Sequence, residues 1–264
     1  MAVLLLSFSF LFIGAISGLL SGMLGIGGGT ITIPFLLLIF QSMGISSEYQ
    51  MQLAIGTSLA SVVITLASSV KAYWKRQCVR LPIVKRMLPA ILAGVVIGAY
   101  LVDKLPGVAL KLFFGIFLLI LAIYTLITPQ SKGTEHPLPK FPLIDLLSFG
   151  ISCLSTILGI GGGILFNPFL QSHKIPMTSA TGTGSALALC ISILATFFYF
   201  VFGYNDVPLP YTFGYIYLPA FALLSLSAYF FSPIGVKLAH TLSPGKMRKI
   251  FGVILIVVGV KMLL

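Results

Sequence analysis

The stretch LSGMLGIGGGTITIPFL (residues 20–36) decides the fold: an apolar run that should continue as one helix is broken by GIGGG and resumes only as far as a proline. It returns as LSTILGIGGGILFNPFL (residues 154–170). With Gly25 placed over Gly159, an offset of 134 residues, Ser21 falls on Ser155, Pro34 on Pro168 and Phe35 on Phe169, and more than half of the aligned positions are identical. Further on, AIGTS (54–58) has a counterpart in ATGTGS (180–185), LPA (88–90) in LPA (218–220), and KLFFG (111–115) in RKIFG (248–252). The chain reads as an internal duplication.

What surrounds the two breaks is membrane protein. Of 264 residues, 58% are hydrophobic and 8% charged, and mean hydropathy is +1.11, outside the range of soluble domains. Apolar elements fall near 3–24, 30–41, 50–70, 86–102 and 109–127, then near 143–158, 163–171, 179–202, 212–231 and 247–263. Most are long enough to cross about 30 Å of hydrocarbon as helix, and no alternating strand pattern competes with them. The sequence therefore predicts an all-α polytopic membrane protein: a first repeat over 1–128, a Pro-rich cytoplasmic linker over 129–142, and a second repeat over 143–264. Each repeat holds five helical elements, the first pair short or broken at GGG. Residues 1–23 lack a basic leader and a small-residue cleavage site, so they read as the first membrane element. Cys78, Cys153 and Cys190 have no metal-type spacing and read as small core residues, with Cys78 in a loop.

The net charge of +11 would suggest nucleic acid in a soluble domain, but here the basic residues crowd into short loops, where they report orientation. The loop after the third element carries Lys71, Lys75, Arg76, Arg80, Lys85 and Arg86, which puts 71–86 in the cytoplasm. Its counterpart GYNDVPLPY (203–211) has no basic residue and is expected outside, while 235–249, with Lys237, Lys246, Arg248 and Lys249, returns inside. The repeats are thus expected to have inverted topology. Each repeat then crosses either five times or three times with its first two elements re-entrant; the second element is too short for a full span, which favours two short elements meeting near the midplane.

Inverted repeats with interrupted helices point to a secondary transporter whose site lies where the broken ends meet. Gly27, Gly28, Gly29 and Thr30, with Gly161, Gly162, Gly163 and Ile164, would present free N–H groups at positive helix ends, suited to an anion such as sulfite, a sulfonate or a carboxylate. Packing alone is the competing reading, and it suffices for Gly14, Gly18 and Gly22 at small-xxx-small spacing. Pro34 and Pro168 are expected as structural breaks that leave a carbonyl free, or as ordinary kinks. Thr57, Ser58, Thr183 and Ser185 would donate hydroxyls to the anion, unless they bond back along their own helix. Asn167, Ser21 and Ser155 are further candidates. The second hydroxyl motif departs from the first by an inserted glycine, Gly184.

Equally informative is what the apolar elements lack. Glu48, Asp103, Glu135, Asp145 and Asp206 lie in loops or at helix ends, so no intramembrane carboxylate relays protons or holds sodium. His136, His173 and His240 read as surface histidines, and Lys174 serves orientation or draws anions. No Asp pair, Ser/His arrangement or metal-ligating His lies at membrane depth, so an enzyme is not expected, nor a cofactor.

The two glycine motifs, each followed by a G-T-S-type segment, resemble the TauE/SafE family of sulfite and organosulfonate exporters over essentially the whole chain. The resemblance rests on Gly25, Gly27, Gly28, Gly29 and Pro34, and on Gly159, Gly161, Gly162, Gly163 and Pro168. It implies a prokaryotic inner-membrane permease exporting a small, often sulfur-containing anion such as sulfite or sulfoacetate. Expected partners are that anion, the lipid bilayer and, as an open option, a second copy in a homodimer, with no nucleic acid. Uptake of the same anions, or a non-transporting assembly factor, are the alternatives.

Overall fold

A computed structural model describes residues 2–127, 136–204, 209–241 and 244–263. Its helices are α1 (Ala2–Leu24), α2 (Gly29–Ser42), α3 (Ser47–Lys75), α4 (Leu81–Lys104), α5 (Gly107–Ile127), α6 (Leu143–Leu158), α7 (Gly163–Ser172), α8 (Met177–Phe202), α9 (Leu218–Thr241) and α10 (Pro244–Leu263). A hairpin of two-residue strands, β1 (Thr212–Phe213) and β2 (Ile216–Tyr217), precedes α9. Six of the helices are long and apolar enough to cross a membrane. With 14 and 10 residues, α2 and α7 reach only about 21 and 15 Å, well short of the hydrocarbon thickness. The ten helices follow the ten apolar elements of the sequence. Residues 128–135, which hold the first half of the linker and Glu135, and residues 205–208, with Asp206, lie outside the described residues, as do the side chains of Lys246, Arg248 and Lys249.

The boundaries differ most from expectation at the ninth element. The ninth element is predicted from 212 but α9 begins at Leu218, because YTFGYIY is apolar enough to extend a helix yet turns at Gly214 (φ +59°) into the hairpin. At its far end the apolar count falls over residues 232–241, yet the helix continues through Pro233 to Thr241.

Helix α3 is the central element: 78% of its apolar window is buried, whereas the other long helices turn exposed Leu, Ile, Val and Phe outward, as lipid-facing helices do. Without a hydrophobic drive between helices in lipid, small residues set the close contacts. α1 lies along α9, and α4 along α6. A Cβ at Gly18 would come within 2.6 Å of the Ala228 carbonyl oxygen, and one at Gly98 within 2.6 Å of the Cys153 carbonyl oxygen. Gly14, Gly18 and Gly22 therefore serve helix contact, as read from their spacing.

Contacts recur in matched pairs across the two halves. The buried Tyr73 hydroxyl donates to the Gly22 carbonyl at 2.9 Å, and the buried Tyr199 hydroxyl to the Thr156 carbonyl at 3.1 Å. Where α5 meets α10, a Cβ at Gly115 would touch Leu263 at 2.8 Å, and one at Gly252 would touch Leu126 at 2.6 Å. At one end of the bundle Gln52 Nε2 donates to the Leu105 carbonyl at 3.2 Å, near the 212–217 hairpin. At the other, Arg86 binds Asp145 at 2.9 and 3.1 Å and the His136 N–H donates to the His173 carbonyl at 3.0 Å. α3 runs from the first end to the second, and α8 back again.

Candidate functional site

Each break is built by glycine. Gly25 and Gly159 end α1 and α6 in the left-handed region (φ +67° and +68°), and Gly28 and Gly162 open α2 and α7 there (φ +83° and +91°), with Gly27 and Gly161 at +82° and +72° between them. An L side chain in that region is strained, so both segments need glycine. Behind Gly159 the N–H groups of Gly159 and Ile160 return to the carbonyls of Thr156 and Ser155 at 3.2 Å each, closing α6 in a Schellman motif. Behind Gly25 a single bond from its N–H to the Ser21 carbonyl at 2.6 Å does the same for α1.

The two breaks lie directly against each other. A Cβ at Gly29 would come within 2.5 Å of the Gly159 carbonyl oxygen and 3.2 Å of Ser58 Oγ, and one at Gly163 would overlap the Gly25 carbonyl. Residues 21–34 and 158–164 are all buried. The first bonds of α2 are donated by Ile31 and Thr32 to the Gly28 carbonyl (3.1 Å each), those of α7 by Leu165 and Phe166 to the Gly162 carbonyl (3.0 Å each). Neither helix has a side-chain cap. Among the described residues, no cap or turn bond is donated by the N–H groups of residues 27–30 or 161–164. Because proline has no N–H, Pro34 and Pro168 also leave the carbonyls of Thr30 and Ile164 without their usual partner four residues on.

Side chains around the breaks repeat this shortage of partners. Ser21, Thr30, Ser58 and Ser155 hydroxyls and Asn167 Oδ1 are buried without a hydrogen bond, and all but one of these residues are at most 1% exposed, Asn167 being at 5%. Orphaned buried polar groups are rare in native structures and cost about 1–3 kcal/mol each, so five around one junction demand an explanation.

The other expected donors make contacts within the protein, Thr57 and Thr183 as acceptors. Thr57 Oγ1 accepts the Tyr217 N–H at 2.9 Å and Thr183 Oγ1 accepts the Arg80 N–H at 3.0 Å, so each holds a loop from the opposite half. The glycine before each threonine makes room for it: Gly56 faces the Tyr215 carbonyl, and a Cβ at Gly182 would lie 2.6 Å from the Cys78 carbonyl oxygen. Ser185 donates back to the Thr181 carbonyl at 2.7 Å along its own helix. Thr57 and Thr183 hold equivalent contacts, so Gly184 stands where the first half has Ser58 rather than being an insertion. These loop contacts, between residues far apart in the chain, leave no local signature. Cys78 is 8% exposed with its backbone on α8, and is buried despite its place in a loop. No group of His, Cys, Asp and Glu that could hold a metal occurs among the described residues.

The family model for the sulfite exporter TauE/SafE matches residues 10–262. The chain belongs to the TauE/SafE family. As a TauE/SafE protein it is a multi-pass membrane transporter. It is similar to a probable membrane transporter protein of Haemophilus influenzae, 29% identical over 257 residues and covering 96% of this chain and 97% of the relative. A second relative, the probable membrane transporter protein MJ0441 of Methanocaldococcus jannaschii, is 29% identical over 262 residues, 96% of this chain and 93% of its own. The probable membrane transporter protein YunE of Bacillus subtilis is 24% identical over 177 residues, 60% of this chain and 65% of its own. No solved structure matches the chain.

Proposed function

We propose that this TauE/SafE protein exports a small oxyanion, sulfite or an organosulfonate, across the inner membrane of a prokaryote. The observation that carries the reading is the apposition of two buried glycine breaks whose N–H groups at residues 27–30 and 161–164 have no acceptor among the described residues. Backbone that is not helical at membrane depth is stable only where it meets protein or a polar ligand, and two helix N-termini facing each other concentrate positive potential and donors at one point. The unpartnered hydroxyls of Ser21, Thr30, Ser58 and Ser155 add donors without adding charge.

In this reading the halves over 1–128 and 143–264 are inverted repeats, as the matched contacts of Tyr73 with Gly22 and Tyr199 with Thr156 support. The end carrying Lys75, Arg76, Arg80, Arg86 and Lys174 faces the cytoplasm. Access alternates by release of one loop at a time: the 212–217 hairpin from Gly56 and Thr57 on the outside, and residues 78–80 from Gly182 and Thr183 on the inside. Export of an anion is favoured by the membrane potential at about 2.3 kcal/mol per charge per 100 mV, inside negative, and needs no intramembrane acid.

The test is flux of sulfite and of sulfonates from proteoliposomes holding the purified protein. Flux is expected for at least one of these anions, and Gly28→Val or Gly162→Val, which force a β-branched residue into the left-handed region, should abolish it with protein still in the membrane. Undiminished flux in both variants refutes the site.

A further inference from the structure

The two halves differ where they would otherwise match. Ile33 on α2 and Asn167 on α7 occupy equivalent positions, as do Ser58 on α3 and Gly184 on α8. Each side chain at the first pair reaches the opposite break. Ile33 Cδ1 lies 3.0 Å from the Cβ position of Gly159, and Asn167 Nδ2 donates to the carbonyl of Leu24, the last residue of α1.

That bond fixes which way the amide faces. Turned over, Asn167 Oδ1 would meet the Leu24 carbonyl oxygen, acceptor against acceptor. Oδ1 therefore faces α8, where it fills the space that a Cβ at position 184 would take, so glycine there is what admits it. The residue is 5% exposed and Oδ1 receives no hydrogen bond. The four unpartnered hydroxyls nearby can each donate to a bare oxyanion, whereas a carboxamide oxygen only accepts and is repelled by one.

Resting on the anion-transport reading, we propose that Asn167 selects a ligand that brings a hydrogen-bond donor with its negative charge: a hydrogen-oxyanion such as hydrogensulfite, or a sulfonate bearing a hydroxyl or ammonium group. The backbone donors and hydroxyls take the charged oxygens. Asn167 Oδ1 takes the ligand's own proton, and the break from two-fold symmetry at Ile33/Asn167 and Ser58/Gly184 sets the orientation in which the ligand lies.

The experiment compares thermal stabilisation of the full-length purified protein by ethanesulfonate and by 2-hydroxyethanesulfonate, which differ by one hydroxyl, and by sulfite over the pH range in which it takes up its proton. The hydroxylated sulfonate is expected to act at concentrations about tenfold lower, or sulfite to act in its protonated form, because a site with a buried acceptor rejects a ligand that leaves it unpaired. In Asn167→Leu, close in size and matching the apolar Ile33, that preference should vanish while ethanesulfonate still stabilises. Equal action of the two sulfonates together with indifference to the protonation of sulfite overturns the inference alone, and so does a preference that survives in Asn167→Leu. Should that variant not fold, the comparison on the wild type decides. No stabilisation by any of the three anions overturns the anion site and this inference with it.

Discussion

Thr57 Oγ1 accepts the backbone N–H of Tyr217, 160 residues further along the chain, at 2.9 Å, and so ties the central helix to the hairpin. At the opposite end Thr183 accepts the Arg80 N–H in the same way, at 3.0 Å. If these are the latches of two gates, breaking one should loosen one end alone. Thr183→Val keeps the shape and removes the acceptor, costing about 1 kcal/mol, or roughly fivefold in the opening equilibrium. With Cys153 and Cys190 replaced by Ala, the buried Cys78 should then react with a thiol reagent about fivefold faster. Thr57→Val should leave the Cys78 rate unchanged and raise hydrogen exchange in residues 212–217 instead. Equal Cys78 rates in the wild type and Thr183→Val would remove the latch.

Glycine at the apposed breaks is required for contact as well as for backbone angle. Gly163 has ordinary helical φ, yet its Cα faces the Gly25 carbonyl so closely that any Cβ would force the breaks apart. Gly163→Ala should lower the melting temperature and cut anion flux by an order of magnitude or more, since overpacking against backbone finds no flexible end to yield. Gly150 in α6 has nothing within 4 Å of its Cβ position. Gly150→Ala should transport normally and, by helix propensity, match or exceed the wild type in stability by up to about 1 kcal/mol. Measured side by side, the pair separates a packing effect from a general sensitivity of the bundle to alanine.

The Arg86–Asp145 pair is bidentate, at 2.9 and 3.1 Å, and joins the start of α4 to the start of α6. Its side chains are nevertheless 45% and 25% exposed, so water and salt screen it. Asp145→Asn should therefore cost no more than about 1 kcal/mol, and high salt should erase the difference in melting temperature from the wild type. A salt-insensitive loss of several kcal/mol would mean that the pair holds the two helices together.

How much of this was legible beforehand follows from what is local. The breaks were legible because glycine and proline write backbone geometry directly: each glycine with positive φ in the two motifs stands in a quoted GIGGG. The order of helices was legible from hydropathy. The hairpin before α9 was not, because Tyr, Phe and Ile suit a membrane helix as well as a strand, and only Gly214 hints at the turn. The Thr57 and Thr183 hydroxyls could be chosen as polar groups at matching depth, but their loop partners arrive from 160 and 103 residues away. Gly184 looked like an insertion because letters alone allow two registers, and the contacts of Thr183 select one. The unpaired Oδ1 of Asn167 could not be read either, since it depends on which branch of an amide meets Leu24.

Orientation in the membrane is open to a direct test, though not with the native loop cysteine. Cys78 is buried against α8, so a failure to label it would say nothing about sidedness. Lys75, at the end of α3, and Tyr211, beside the hairpin, are both exposed and stand at opposite ends of the bundle. In a chain with its three native cysteines replaced, Tyr211→Cys should react with an impermeant thiol reagent added to intact cells, and Lys75→Cys only after the membrane is opened. This sign follows from the cluster of Lys71, Lys75, Arg76, Arg80, Lys85 and Arg86 around residues 71–86, since short loops rich in Lys and Arg are retained in the cytoplasm. Reversed labelling would turn the molecule over in the membrane and exchange the inner and outer gates, while the apposed breaks would remain the candidate site. Labelling of both positions from outside would contradict the antiparallel course of α3 and α8, and with it the inverted repeats on which alternating access rests.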